Sequence, residues 1–293
     1  MRTMAVKNPC TMRVAALFLA AMVLAGCATQ LAYRNADFLL TTYIEDYVPL
    51  ERAQEEELEW RIDALLAWHS REALPEYARW LREVGAAIGD GEPLAASRVR
   101  TWAEDLRGFW QELARRAAPD LVALGTSLSD EQVQAFVARL EEEHAERVEE
   151  YGERSPEEQL ERREERMEEF ISRWTGRLSR EQVDMIRRWA AAVRPATDLW
   201  LENRAHRIDL TREALARREE PGALAEAVET LVVDTRPHWS ESYRAVVEHN
   251  TALTTDFLAR FKEALDPKQR ARARARLEEL AEEMEALVPE PAR

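Results

Sequence analysis

Glycine supplies only 9 of the 293 residues, against an ordinary share of about 7%. No stretch alternates apolar and polar residues for long enough to make a strand, and the apolar spacing is helical almost everywhere. With Ala, Leu, Glu and Arg dominant, the chain reads as all-α, an elongated bundle of roughly ten helices. The motifs of several chemistries are missing too. His69, His144, His206, His238 and His249 include no His-Glu-x-x-His pair. Glu141 and His144 have the spacing of half a di-iron bundle motif, but the second half is lacking. There is no Gly-x-Ser-x-Gly elbow and no phosphate-cradling glycine loop. Paired carboxylates carry little information among 56 acidic residues. No metal or cofactor is expected, and catalysis survives only as an alternative built on a cleft around His69.

Cysteine is nearly absent, with only Cys10 and Cys27, and long apolar runs are missing. The most apolar stretch, Val14 to Leu24, reaches only about 16 Å as a helix, too short for a bilayer core of about 30 Å. It follows Arg2, Lys7 and Arg13 and precedes small residues, the layout of an export signal. Its end, Leu24-Ala25-Gly26-Cys27, resembles the lipobox of bacterial lipoproteins. That resemblance implies cleavage between Gly26 and Cys27, palmitate-class acyl chains on Cys27, and membrane attachment through them. Gram-negative lipoproteins held at the inner membrane commonly carry aspartate after the cysteine. Ala28 stands there instead, which implies the periplasmic face of the outer membrane.

Removal of the signal has two consequences. No disulfide can form in the mature chain, so stability rests on the core. The formal charge also moves from −15 to −18, which disfavours nucleic acid and direct adsorption on anionic headgroups. The expected organisation is a signal at 1–26, a tether at 27–31, one helical domain at 32–287 and a fraying tail at 288–293. Residues 141–170, the most charged part of the chain, still space their few apolar residues helically and are expected as two helices forming a projecting arm.

Helix starts are unusually legible. Ser129 with Gln132, Ser155 with Glu158, Ser179 with Gln182 and Asp266 with Gln269 have the spacing of capping boxes. Three of these starts belong to a recurring phrase, leucine then three residues then glutamine, at Leu50, Leu128, Leu178 and Leu265. Its plain explanation is a shared capping chemistry at four helix entrances. The phrase also bears a local resemblance to the Leu-Thr-x-x-Gln repeats of small periplasmic chaperones, which implies the alternative of a client-binding chaperone.

"YRNADFLLTTYIEDYVPLERAQ" followed by "LLAWHSREALPEYARWL" resembles an uncharacterised family of Gram-negative lipoproteins, a domain of unknown function. The resemblance covers nearly the whole mature chain. It departs from the family at Glu51, where a hydroxyl cap is common, and implies an all-helical lipoprotein with no activity to transfer. The function expected is therefore binding or scaffolding, with a protein partner of unspecified identity.

Polar residues interrupt three apolar stripes: His69, His144 and Asn250. Each must be hydrogen-bonded, because an orphaned buried polar group costs about 1–3 kcal/mol. They read as a satisfied core network or a polar cleft wall, with a ligand or transition-metal pocket at His69 or His144 as the sharper possibility. Pro119 is expected to end the helix that carries Val99, Trp102, Leu106, Trp110 and Leu113, and Pro75 the helix beyond His69, opening a pocket formed by Trp68, His69, Pro75, Tyr77 and His144.

Overall fold

The structure is a computed structural model that describes residues 33, 35–152 and 154–289. The signal and the Cys27 tether lie outside the described residues. Every regular element among them is helical. In chain order these are α1 (Ala36–Glu45), α2 (Arg52–Trp68), α3 (Leu74–Gly89), α4 (Ala96–Ser127), α5 (Asp130–Gly152), α6 (Pro156–Thr175), α7 (Arg180–Ala192), α8 (Thr197–Ala216), α9 (Ala223–Val228), α10 (Glu241–Glu263) and α11 (Pro267–Glu285). The all-α expectation holds.

The closest pairing joins α3 to α11. Ala78 and Ala281 are fully buried along this seam, and at Gly89 the missing side chain leaves room for Arg274. A Cβ on Gly89 would lie 2.9 Å from Arg274 Cδ. A chain this poor in glycine therefore places one where two helices meet. Around the seam, Val99 and Trp102 of α4 and Ala259 of α10 complete one apolar cluster. A second joins Val48, Leu128, Val133 and Val137 to Leu215 and Leu224, and a third is centred on Ile186, Phe257 and Phe261.

The four leucine–glutamine phrases cap their helices and do more. At Ser129, Ser179 and Asp266 the glutamine oxygen accepts the cap residue's own amide at 2.9–3.1 Å while the cap oxygen accepts the glutamine amide at 2.9–3.2 Å. Gln54 reaches back to the Glu51 amide in the same way, at 2.9 Å. The four then pair, first with second and third with fourth. Gln54 and Gln132 exchange side-chain amide bonds of 3.2 and 2.6 Å; Gln182 and Gln269 exchange bonds of 2.7 and 3.0 Å. Each remaining amide hydrogen goes to the carbonyl just before the partner's leucine: Ser127, Pro49, Ala264 and Arg177. A primary amide offers two donors and two acceptor positions, and every one is used. The phrase is thus a reciprocal clasp tying α2 to α5 and α7 to α11.

Three expectations need correction. Pro75 does not end a helix. Residues His69–Ala73 widen into a π-helical turn, the Leu74 amide bonds the His69 carbonyl, and α3 continues directly. The wider turn shifts the carbonyl that a proline ring would strike and skips the donor it lacks. Pro119 likewise sits inside α4, which runs on to Ser127; the turns beyond it carry Val122 and Gly125 onto Leu215 and Leu224, packing that offsets the roughly 3 kcal/mol of an internal proline. The charged stretch 141–170 does form two helices meeting near Gly152 and Ser155. Instead of pairing as an arm, however, α5 lies along α8, and α6 lies along α7 and α11.

Candidate functional site

An apolar cavity of about 460 Å³ is bounded by α3, α4, α6, α10 and α11. Its wall is almost wholly apolar, and most polar groups on it are occupied, while the buried indole N–H of Trp102 has no hydrogen-bond partner among the described residues. Trp80 and Trp110 turn their indole N–H groups away to Asp105 and the Val232 carbonyl, each at 3.1 Å, leaving ring faces to the interior. Lys262 is 5% exposed, and its ammonium donates to Asp90 at 3.0 Å and to the Glu92 carbonyl. That hydrogen bond holds the Asp90 carboxyl below its usual pKa. The cavity opens between α4 and α6, where two of its lining residues, Leu106 and Phe170, are 41% and 51% exposed.

His69 forms part of this wall and is 2% exposed. Its Nδ1 lies 3.0 Å from the Tyr33 hydroxyl, and burial lowers its pKa to about 4, so the ring is neutral at physiological pH. Burial also pushes the Tyr77 hydroxyl up to about 12 and the Tyr33 hydroxyl well above its usual value. Rings run in sequence from Tyr33 through His69 and Tyr77 to Phe109, with centroid separations of 5.9, 5.6 and 4.6 Å. None of the three polar groups is poised to exchange a proton near pH 7.

Of the five expected pocket residues, His69 and Tyr77 line the cavity. Trp68 packs beside His69 at 6.4 Å and under Arg116, and Pro75 sits in the first turn of α3. His144 is elsewhere. It belongs to a polar seam between α5 and α8, where burial and the neighbouring Arg204 lower its pKa. There Glu143, 4% exposed, accepts from Tyr47 and from Arg204 at 3.2 Å. The two histidines share neither a contact nor a cavity. Asn250 is satisfied by the Arg194 backbone, both donating and accepting at 2.9 Å. Among the described residues no cluster of three or more His, Cys, Asp or Glu gathers as metal ligands.

The sequence reading missed the mouth, Leu106 and Phe170, and the far wall formed by Trp174 and Phe261. All four fall on helical stripes that periodicity reads as core. One signal was available: Phe170 stands at the end of the most charged stretch of the chain, where a large apolar side chain has no obvious core to join.

No curated protein sequence and no solved structure matches this chain. A family model does match, over residues 46–244, a span that includes both residues of the first glutamine clasp, α3 and α4 of the cavity wall, and the seam at Glu143. Because the match covers more than half of the chain, the protein belongs to the family of unknown function DUF6279.

Proposed function

We propose that this is a lipid-anchored envelope protein, held through Cys27 at the periplasmic face of the outer membrane, that binds an apolar ligand in the cavity between α4 and α6. The cavity is the observation that carries the reading. Its volume of about 460 Å³ falls within the range of about 300–1,000 Å³ typical of ligand sites, and it has a mouth.

Position supports the same reading. Tyr33, bonded to the cavity-wall residue His69, is only six residues beyond Cys27, a reach of at most about 21 Å. An anchor on Cys27 would keep this end of the cavity close to the bilayer. Phe38 and Leu39, adjacent on α1, are 67% and 52% exposed, as suits a surface facing lipid. Among the described residues no helix is long and apolar enough to cross a membrane; acyl chains on Cys27 would supply the attachment, each buried methylene contributing about 0.8 kcal/mol.

Two experiments test the two halves. Cys27→Ser should abolish incorporation of labelled palmitate and release the protein from outer-membrane fractions; unchanged labelling would remove the anchor. A Cys27→Ala chain exported behind an ordinary cleavable signal, whose cavity no acyl chain of its own can fill, should show saturable one-to-one energy transfer from tryptophan to added pyrene, since Trp80, Trp102, Trp110 and Trp174 line the cavity. Transfer that rises without saturating would mean that the apolar space is packing and not a ligand site.

A further inference from the structure

We infer that the ligand is a single long acyl chain lying lengthwise along α4, an inference that rests on the cavity being a ligand site. The shape argues for a chain. The lining residues on α4 run from Val99 to Leu113, a span of about 21 Å at 1.5 Å per residue. One leaflet of a bilayer core of about 30 Å corresponds to a chain extent of about 15 Å, which this groove accommodates.

The chemistry argues against anything polar along the buried length. Lys262 is held by Asp90 and Glu92, and His69 is neutral and bonded to Tyr33. Apart from the Trp102 indole N–H, a single buried donor without a partner, the wall offers a ligand hydroxyl or amide little to bond, and most of its hydrogen bonds would go unmade. A polar head belongs outside the mouth, beyond Leu106 and Phe170. With the formal charge of −18 that the chain carries once Arg2, Lys7 and Arg13 are removed, the mature protein disfavours an anionic head there, so a zwitterionic or uncharged one fits better.

Such a chain has two sources: a membrane lipid, or the acyl group on this protein's own Cys27. A zwitterionic lysophospholipid with a bromine-labelled chain separates them, because bromine quenches tryptophan on contact. It is titrated below micelle formation against the wild-type protein and against a Cys27→Ala chain exported behind an ordinary cleavable signal. Saturable quenching of both forms supports a chain taken from outside. Quenching of the Cys27→Ala form alone supports occupation by the protein's own chain. In either case Leu106→Glu and Phe170→Glu, at exposed positions that spare the core, should each weaken binding about tenfold, the equivalent of roughly 1.4 kcal/mol. Quenching of the wild type alone, or quenching indifferent to both mouth substitutions, would place the probe outside the cavity and overturn the inference. If pyrene binds saturably while the bromine-labelled chain binds neither form, the acyl-chain assignment fails and the ligand site stands. If neither probe binds, both fail.

Discussion

Gln182→Ala should destabilise the folded protein by about 4 kcal/mol, because one truncation strands several buried groups at once, each worth about 1–3 kcal/mol when unsatisfied. Gln182 is 2% exposed. Its loss takes the partner from the Ser179 amide and the Ala264 carbonyl and removes one of the two bonds at each end of the Gln269 amide. Gln182→Glu should also be damaging, since a carboxylate cannot donate to Ala264. The clasp predicts strong coupling: once Gln182 is gone, Gln269→Ala should add much less than it costs alone. Chemical denaturation of the two single variants and the double variant measures this. Additive effects would mean that the four phrases are independent caps. The Gln54–Gln132 clasp involves partly exposed groups, and the same cycle there should give smaller values.

The second large effect is in pH. His69 titrates near 6.5 when the chain is unfolded and near 4 when it is folded, so between those values the unfolded state binds the extra proton. Stability from this residue is fully present above about pH 6.5 and is lost as pH falls to about 4, a total of about 3 kcal/mol at 1.36 kcal/mol per pH unit of displacement. His144 and His238 are displaced in the same direction, chiefly by burial, so the wild-type curve contains more than one contribution. The comparison with His69→Gln isolates the one from His69. That variant should lose about 1 kcal/mol at pH 7 with the bond to Tyr33, and then fall less steeply into acid than wild type. Parallel curves for the two proteins between pH 7 and pH 4 would show that His69 is not buried in its neutral form.

Helices were legible from the sequence because their ends are chemically marked. Ser155, Ser179 and Asp266 each accept an early amide as their spacing requires, and such local bonds do not depend on the rest of the fold. Pro75 and Pro119 misled for the complementary reason. A proline's local cost can be offset by a π turn or by packing further along, and neither is written near the proline itself. The glutamine phrase was visible as a repeat, but its pairing joins residues 78 and 87 positions apart, which periodicity cannot reveal. His69 was singled out for its polarity on an apolar stripe, and that polarity does mark the cavity wall. His144 met the same criterion and belongs to the seam with Glu143 and Arg204. One helical stripe does not specify which neighbour it meets. The cavity was the least legible feature, because a lining residue and a core residue have the same helical spacing. What distinguishes them is the gap left where five helices fail to fill the space between them.

If an acyl chain fills this space, its bromine can be located directly. Crystals of the protein grown with the bromine-labelled lysophospholipid, measured at the bromine absorption edge, should show anomalous peaks inside the cavity between Leu106, Phe170 and Trp102. Peaks confined to the outer surface, with the helices closed over the cavity, would contradict an acyl chain in this space.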